Sequence, residues 1–147
     1  MHCMNRNVFT VLLSLALWGC DKTKDGSTGP CLHTYEDPVI HIDSVINAQT
    51  GQQILAFKIL NVTRDGYKEQ PFLLKIISYN VVLYDSALVC NTPCGFGTGE
   101  GSYALWVSAS GYRDTTISVK AKYAIFKGGC PSSNSGGTQF SFRLQPM

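Results

Sequence analysis

Apolar and polar residues alternate along most of the chain after Pro38, a period of two that is typical of half-buried β-strands. The stretch 115–121 is the clearest example, since Ile117 and Val119 fall on one side and Ser118 and Lys120 on the other. The same alternation is found in Ile40, Ile42 and Ile46, in Tyr103, Leu105, Val107 and Ala109, and in Phe140, Phe142 and Leu144.

Longer apolar stretches lie between these alternating segments. Ile54 to Val62 is nearly continuous, which predicts a strand that is buried on both faces. Phe72 to Ile77 and Val81 to Leu88 predict two further strands. Glycine-containing turns such as Gln49-Thr50-Gly51 and Arg64-Asp65-Gly66 punctuate these stretches, and sustained helical spacing is missing from the sequence. The pattern predicts an all-β fold, a single sandwich of about seven strands.

A glycine-rich stretch, Cys94 to Gly101, raises the question of phosphate binding. A phosphate-binding loop needs a helix after it and, in the P-loop, a Gly-Lys-Ser/Thr ending. A strand pattern follows here instead. We therefore expect a mobile hairpin loop.

The first twenty residues carry a different pattern. Arg6 precedes the apolar stretch Val8 to Trp18, and Leu17 and Gly19 lead into Cys20. The stretch is about eleven residues long, which suits a signal peptide and is short of the roughly 20 needed to span a bilayer. It resembles the lipobox of bacterial lipoproteins, although Trp18 departs from the small or β-branched residue usual there. The resemblance implies cleavage before Cys20 and a membrane anchor through lipid on that cysteine.

Other interpretations of this segment stay open. An ordinary secretory cleavage or an uncleaved anchor would also be compatible with an apolar stretch of this length. Met4 is an alternative start to Met1. Asp21 beside Cys20 favours retention in the inner membrane under the rule known for enteric bacteria, but that rule does not hold in every phylum and the choice between inner and outer membrane stays open. The expected organisation is a signal peptide over 1–19, a lipidated cysteine with a flexible tether over 20–37, and a β-sandwich domain over 38–147. The protein is expected to face the periplasm or the cell surface.

Composition narrows the function classes. The 147-residue chain has a net charge of +2, with Lys and Arg well mixed among the acidic residues. Because nucleic-acid binding requires clustered positive charge, we expect no nucleic-acid partner.

Four cysteines remain once Cys3 and Cys20 are set aside. An even number in an exported chain predicts two disulfides. Our first choice pairs Cys31 with Cys130 and Cys90 with Cys94, and the pairing Cys31–Cys90 with Cys94–Cys130 stays open. A zinc site is disfavoured because only Cys90 and Cys94 approach the spacing of a ligand pair.

Two stretches are similar to the carboxypeptidase regulatory-like domain. Val39 to Ile54 resembles the family's first strand and its "D-A-x-T-G-x-P-I" turn, with Asn47 and Gln53 at the Asp and Pro positions. Gly101 to Tyr112 matches "G-x-Y-x-L-x-V-x-A-x-G-Y". The resemblance implies a transthyretin-like or Ig-like sandwich that serves as an accessory, spacer or adhesion module without activity of its own. The stretch 62–100 is unmatched.

Candidate catalytic and metal-binding groups are sparse. His33 and His41 are the histidines after the signal segment, and with Glu36, Asp37 and Asp43 they are better explained as exposed polar residues than as metal ligands. A hydrolase triad needs a base, a nucleophile and a carboxylate that converge, and the nucleophile-elbow motif is missing from the sequence. We expect neither a cofactor, a metal nor an enzymatic activity.

Aromatic residues supply the candidate binding surface. Trp106 falls opposite Tyr103, Leu105 and Val107 in the alternation, so it is expected on the outer face. Together with Tyr112, Tyr123 and Phe126 it forms a candidate contact surface for a glycan or a protein. Coverage by the N-terminal segment or by the middle loop is the alternative. The sequence thus predicts a lipid-anchored, non-enzymatic protein with a structural or binding role at the cell envelope. The alternative is a carbohydrate- or peptide-binding accessory lipoprotein of an uptake or adhesion system.

Overall fold

A computed structural model describes residues 33–35, 37–123, 132–134 and 136–147, and of 33–35 and 132–134 it describes the strands alone. These residues belong to one compact unit, Leu32–Met147. The predicted signal peptide, most of the predicted tether and Glu36 lie outside the described residues. The candidate site residues Cys20, Cys31, Phe126 and Cys130 also lie outside them.

Ten strands and one short helix make up the described chain. The strands are β1 (His33–Tyr35), β2 (Ile40–Asn47), β3 (Ala56–Arg64), β4 (Tyr67–Lys68), β5 (Ser78–Tyr84), β6 (Ala87–Phe96), β7 (Gly101–Ser108), β8 (Thr115–Ala121), β9 (Ser132–Asn134) and β10 (Thr138–Leu144), and the helix is α1 (Pro71–Leu74). The all-β fold class is therefore confirmed, with more strands than the seven expected. No helix in the described part of the chain is long and apolar enough to cross a membrane.

Eight of the strands form a single mixed sheet. Its main order is β10-β2-β6-β3-β7-β8, with β4 paired to β3 and β5 paired to β6, while β1 and β9 form a separate two-stranded sheet. The large sheet curls until it is nearly barrel-shaped. Its two end strands approach each other where the Lys122 N–H donates to Thr138 Oγ1 at 2.9 Å. Curling gives the sheet one inner face, which holds the core.

Strand β6 changes its partner halfway along. Its first part pairs with β3, where Cys90 lies opposite Phe57, and its last part pairs with β2, where Phe96 lies opposite Ile40. On its other side, Tyr79 and Val81 of β5 pair with Gly95 and Cys90. Because residues two positions apart in β5 face residues five positions apart in β6, the segment 91–94 bulges out of the strand. The bulge brings Cys90 and Cys94 close together.

The core confirms most of the alternating pattern. Its largest fully buried side chains are Tyr103, Phe96, Ile40, Ile42, Ile59, Leu88, Leu105 and Leu144. Phe140 and Phe142 pack against it, and so do Ile117 and Val119 from β8. The strands predicted at 103–109, 115–121 and 140–144 therefore place the expected residues on the inner face.

Two details of burial were predicted wrongly. The stretch 54–62 is not buried on both faces, because β3 exposes Lys58 and Leu60 and buries Phe57 and Ile59 on the single inner face. In β2 the alternation shifts between Ile42 and Ser44, where the register with β10 is irregular. Val45 is consequently buried, and the predicted core position Ile46 is only half-buried.

The segment 72–88 differs most from prediction. Pro71 opens the short helix α1 where a strand was expected, because proline suits the first turn of a helix. The second predicted strand is interrupted at Asp85 and Ser86, whose φ angles of 45° and 65° form the tight turn between β5 and β6. The sequence signal was weak because neither turn residue is a glycine.

The first part of the glycine-rich stretch is not the loop that was expected, whereas residues 97–100 do form the connection between β6 and β7. Cys94, Gly95 and Phe96 lie in β6 and are fully or almost fully buried. A Cβ on Gly95 would collide with the ring of Tyr79 and lie 3.0 Å from the Ile40 carbonyl oxygen. The glycine is thus explained by close packing within the sheet.

Candidate functional site

The outward side of the β3–β7–β8 part of the sheet forms a surface centred on Trp106. Across the strands, Trp106 lies opposite Asn61 of β3 and Thr116 of β8. Its neighbours one pair further along are Thr63, Ala104 and Ser118. We call these six residues the Trp106 face. These five neighbours are uncharged, whereas the next pair in the other direction is Ser108 opposite Lys58.

Exposure distinguishes Trp106 from Tyr103, the other aromatic residue of β7 and β8. It is 47% exposed, whereas Tyr103 of the same strand is 2% exposed. The indole is therefore not covered by the middle of the chain, residues 62–100, which was one of the two alternatives to an exposed binding surface. A large aromatic surface in contact with water favours binding of an apolar or ring-shaped ligand.

Asn61 supplies a polar group beside the indole. Its Oδ1 atom is buried and has no hydrogen-bond partner among the described residues. A buried acceptor without a partner costs free energy, so such groups commonly mark functional positions. The sequence pattern did not predict that Asn61 lies beside Trp106, because the register irregularity between Ile59 and Asn61 moves it onto the outward face.

Tyr112 lies at the turn after β7, close to a surface groove. The turn uses Gly111 at φ 84°, and Tyr112 forms a β-bridge with Pro146. Its hydroxyl accepts a hydrogen bond from Asn47 Nδ2 at 3.1 Å. The groove, of about 510 Å³, is lined by Tyr112 together with Lys58 and Asp114, and Trp106 is not part of its lining.

Tyr123 does not belong to an exposed surface, which corrects the sequence prediction. It is 6% exposed and its backbone N–H donates to Glu100 Oε1 at 2.9 Å. It follows Ala121, which pairs with Gly101 at the far end of the hairpin from Trp106. Burial continues to alternate after β8, because Ala121 and Tyr123 are buried and Lys122 between them is exposed. The period-two pattern of 115–121, extended by two residues, therefore already placed Tyr123 on the inner face. Of the predicted aromatic surface, Trp106 and the half-buried Tyr112 remain on the described surface.

Cys90 and Cys94 form a second candidate cluster. Both are free thiols, both are buried, and Cys90 is hydrogen-bonded to Cys94. That hydrogen bond, together with burial, strongly raises the pKa of the Cys90 thiol. Thiolate is the nucleophilic form of cysteine, so Cys90 is a poor nucleophile in this state. The predicted disulfide pairing stays a prediction.

A histidine and a tyrosine lie beside the thiols. Tyr79 packs over Gly95, and its hydroxyl is 3.1 Å from His41 Nδ1. Burial is the main cause that raises the pKa of Tyr79, followed by the charges of Cys94 and nearby carboxylates. Within the described residues, no three His, Cys, Asp or Glu side chains are grouped as a metal site would require.

Comparison with known proteins adds no relative. No protein family, no curated protein and no solved structure matches this chain.

Proposed function

We propose that the chain is a lipid-anchored, non-enzymatic exported β-domain protein with a structural or binding role at the cell envelope. The observation that carries the binding role is the exposed indole of Trp106 in the middle of an outward sheet face. The Leu17-Trp18-Gly19-Cys20 sequence supports the anchor. Two or three acyl chains on one cysteine make membrane attachment effectively permanent, whereas one chain gives marginal binding.

The second part of the proposal concerns the ligand. A carbohydrate or a peptide suits the Trp106 face, because a sugar ring or an apolar side chain can stack on the exposed indole. An accessory lipoprotein of an uptake or adhesion system would need such a surface. The similarity of 101–112 to the carboxypeptidase regulatory-like domain supports an accessory role of this kind.

The cysteines belong to the same proposal. In an oxidising compartment, Cys90 and Cys94 would close a local disulfide, and their contact as free thiols supports that pairing. Peptide mapping under non-reducing conditions is expected to recover Cys90 joined to Cys94 and Cys31 joined to Cys130. Recovery of Cys31 joined to Cys90 would contradict this pairing.

Intrinsic fluorescence offers a direct test of the binding surface. The chain has two tryptophans, Trp18 and Trp106, and cleavage before Cys20 would leave Trp106 alone. A glycan array on the processed protein is expected to give hits, and titration with a hit should shift the tryptophan emission. Trp106→Ala should abolish binding. Tyr67→Ala is the matched control, since Tyr67 is 80% exposed on β4, outside the Trp106 face.

Two results would contradict the proposal. Array binding that survives in Trp106→Ala would show that the Trp106 face is not the binding surface. An array without hits, together with tryptophan emission that added glycans leave unchanged, would exclude glycans as the ligand class. For the anchor, mass spectrometry of the N-terminus is expected to find acyl chains on Cys20. A Cys20→Ala protein that remains in membranes would contradict lipid attachment at that residue.

A further inference from the structure

Exposed large apolar residues of the described chain are concentrated around helix α1. Four of them fall within residues 72–79, and α1 contacts β5, where the last of the four lies. Contiguous apolar surface of this kind marks an interaction site more often than single exposed residues do. We call these four residues the α1 patch. They are Phe72, Leu73, Ile76 and Tyr79, with exposed fractions of 58%, 41%, 68% and 36%.

The predicted tether joins the β-domain beside this patch. Val39 donates its N–H to the Gly97 carbonyl oxygen at 2.9 Å, and Gly97 donates its own N–H to the Leu74 carbonyl oxygen of α1 at 2.9 Å. Pro38 and the ring of Tyr79 also lie against one and the same glycine of β6. The start of the sandwich domain is thus linked to α1 by two successive hydrogen bonds.

The length of the tether limits how far the domain can be from the proposed anchor. Twelve residues separate Cys20 from His33, the first residue of β1. Even a fully extended chain of this length spans at most about 45 Å. Tethering makes contact between the domain and its own membrane intramolecular, so a weak contact is favoured by a high effective concentration. Surfaces beside the point where the tether joins gain most from this proximity.

We propose that the α1 patch rests on the bilayer to which Cys20 is anchored and so fixes the orientation of the domain on the membrane. This proposal rests on the proposed lipid anchor. Phenylalanine, leucine and isoleucine suit the boundary between headgroups and acyl chains, and tyrosine is enriched there. At that depth, water and headgroups can still hydrogen-bond the edge of β5 that no described strand covers, which hydrocarbon could not do.

Charges around the patch are of both signs. Lys75 lies within its sequence. Burial is the main cause of the raised pKa of Tyr79, and the nearby Asp43 and Asp37 carboxylates contribute to it. A basic cluster would select anionic lipid, but a mixed border gives no such preference. Apolar burial therefore has to carry the contact, and zwitterionic phospholipid is the matching probe.

Tryptophan fluorescence in vesicles tests this orientation. Cleavage before Cys20 leaves Trp106 as the single tryptophan, and Trp106→Phe combined with Phe72→Trp moves the single tryptophan into the patch. The lipidated protein, purified from membranes, is reconstituted into zwitterionic vesicles with and without brominated lipids, which quench tryptophan on contact. The moved tryptophan is expected to emit at shorter wavelength and to be quenched. Trp106 of the unaltered protein should keep its emission in both kinds of vesicle.

A charged variant and a matched control separate the patch from general proximity to lipid. In the moved-tryptophan chain, Ile76→Asp should reduce the quenching and shift the emission back to longer wavelength. Met147→Asp is the control, because Met147 is 80% exposed and lies by the Asn47 end of β2. The Ile40 end of the eight-residue strand β2 adjoins the patch, more than about 20 Å away. Met147→Asp should leave the quenching unchanged, and circular dichroism checks that both variants are folded.

Failure of this proposal can be told apart from failure of the anchor. If the protein floats with the vesicles but the moved tryptophan is not quenched, or is quenched no more than Trp106, the orientation is wrong and the anchor stands. Quenching that Ile76→Asp leaves unchanged would also overturn the orientation. Emission at shorter wavelength without quenching would show that a protein surface, not lipid, covers the patch. A protein that does not float would contradict the anchor and this proposal with it.

Discussion

The β7–β8 hairpin and the segment 71–97 differ in how well the local sequence pattern predicts which side chains are buried. In the hairpin, every inward position from Tyr103 to Val107 is buried and the opposite face carries mainly small polar residues. In the segment 71–97, apolar residues such as Phe72 and Val82 are exposed, while Gly95 is buried. Local pattern determines burial in the first region. Contacts between distant strands determine it in the second.

The reason lies in the strands that surround each region. β7 lies between β3 and β8 in a nearly regular register, so one parity of residues faces the core throughout. β6 pairs with β3, then bulges, then pairs with β2, and each change resets which residues face inward. Such changes of partner depend on strands thirty or more positions away in sequence, and no local pattern encodes them.

Replacement of two phenylalanines should give the largest contrast within 71–97. Phe96→Ala removes a fully buried ring and is expected to lower the free energy of unfolding by about 3–5 kcal/mol. Phe72→Ala removes a ring that is 58% exposed and should change it by less than about 0.5 kcal/mol. Urea denaturation of the two variants measures both effects. Equal losses would mean that Phe72 is also part of a core.

Gly95→Ala tests the close packing of β6 under Tyr79. The added methyl would meet the tyrosine ring, the Ile40 carbonyl oxygen at 3.0 Å and Pro38 Cγ at 3.1 Å. We expect a loss of about 1–3 kcal/mol in the free energy of unfolding, the usual range for overpacking.

A double-mutant cycle separates the contribution of the tyrosine ring. In a Tyr79→Ala background the closest contact is removed, so Gly95→Ala should cost less there than in the unaltered chain. Strictly additive effects in urea denaturation would show that the ring does not restrict this position.

The difference between local pattern and long-range contact also limits what could be predicted from the sequence. Alternation and turn glycines were sufficient for the all-β class, for the strands at 103–109 and 115–121, and for the outward direction of Trp106. They were insufficient for Asn61, whose place beside Trp106 depends on the register shift in β3. For Tyr123 the pattern was sufficient but was not extended far enough, since this ring is buried two residues after Ala121 on the same side of the alternation. Sequence patterns therefore predicted the central residue of the Trp106 face but not all of its surroundings.

The same substitution should have opposite effects in the two regions. Ser86 has φ 65° in the β5–β6 turn, a conformation that costs a non-glycine residue about 1 kcal/mol or more. Ser86→Gly should therefore stabilise the fold by about 0.5–1 kcal/mol, after the larger unfolded-state entropy of glycine is subtracted. Asp-Gly is also the dipeptide that sequence analysis recognises most readily as a hairpin turn.

Ser118→Gly, in the middle of β8, provides the matched control. A glycine inside a strand should destabilise by about 0.5–1 kcal/mol, because the backbone loses more freedom on folding. Thermal melting of both variants measures the sign. A loss of stability in Ser86→Gly would contradict the assigned turn.

Of these tests, alkaline pH should change the free energy of unfolding least. The test uses one tyrosine from each region. Burial is the main cause that raises the pKa of both Tyr79 and Tyr103 above the ordinary value of 10.0, and the Arg64 guanidinium partly offsets this for Tyr103. A raised pKa means that the unfolded chain loses these protons first as pH rises. The contribution of both tyrosines to the free energy of unfolding is thus fully present below pH 10.0 and declines as the pH rises above it. Tyr79→Phe should flatten the decline measured by urea denaturation across this range, and Tyr103→Phe should do the same in the hairpin. If Tyr79→Phe leaves the slope unchanged, the ring of Tyr79 is more open to water than its packing over Gly95 implies, and the contrast between the two regions is smaller at this position.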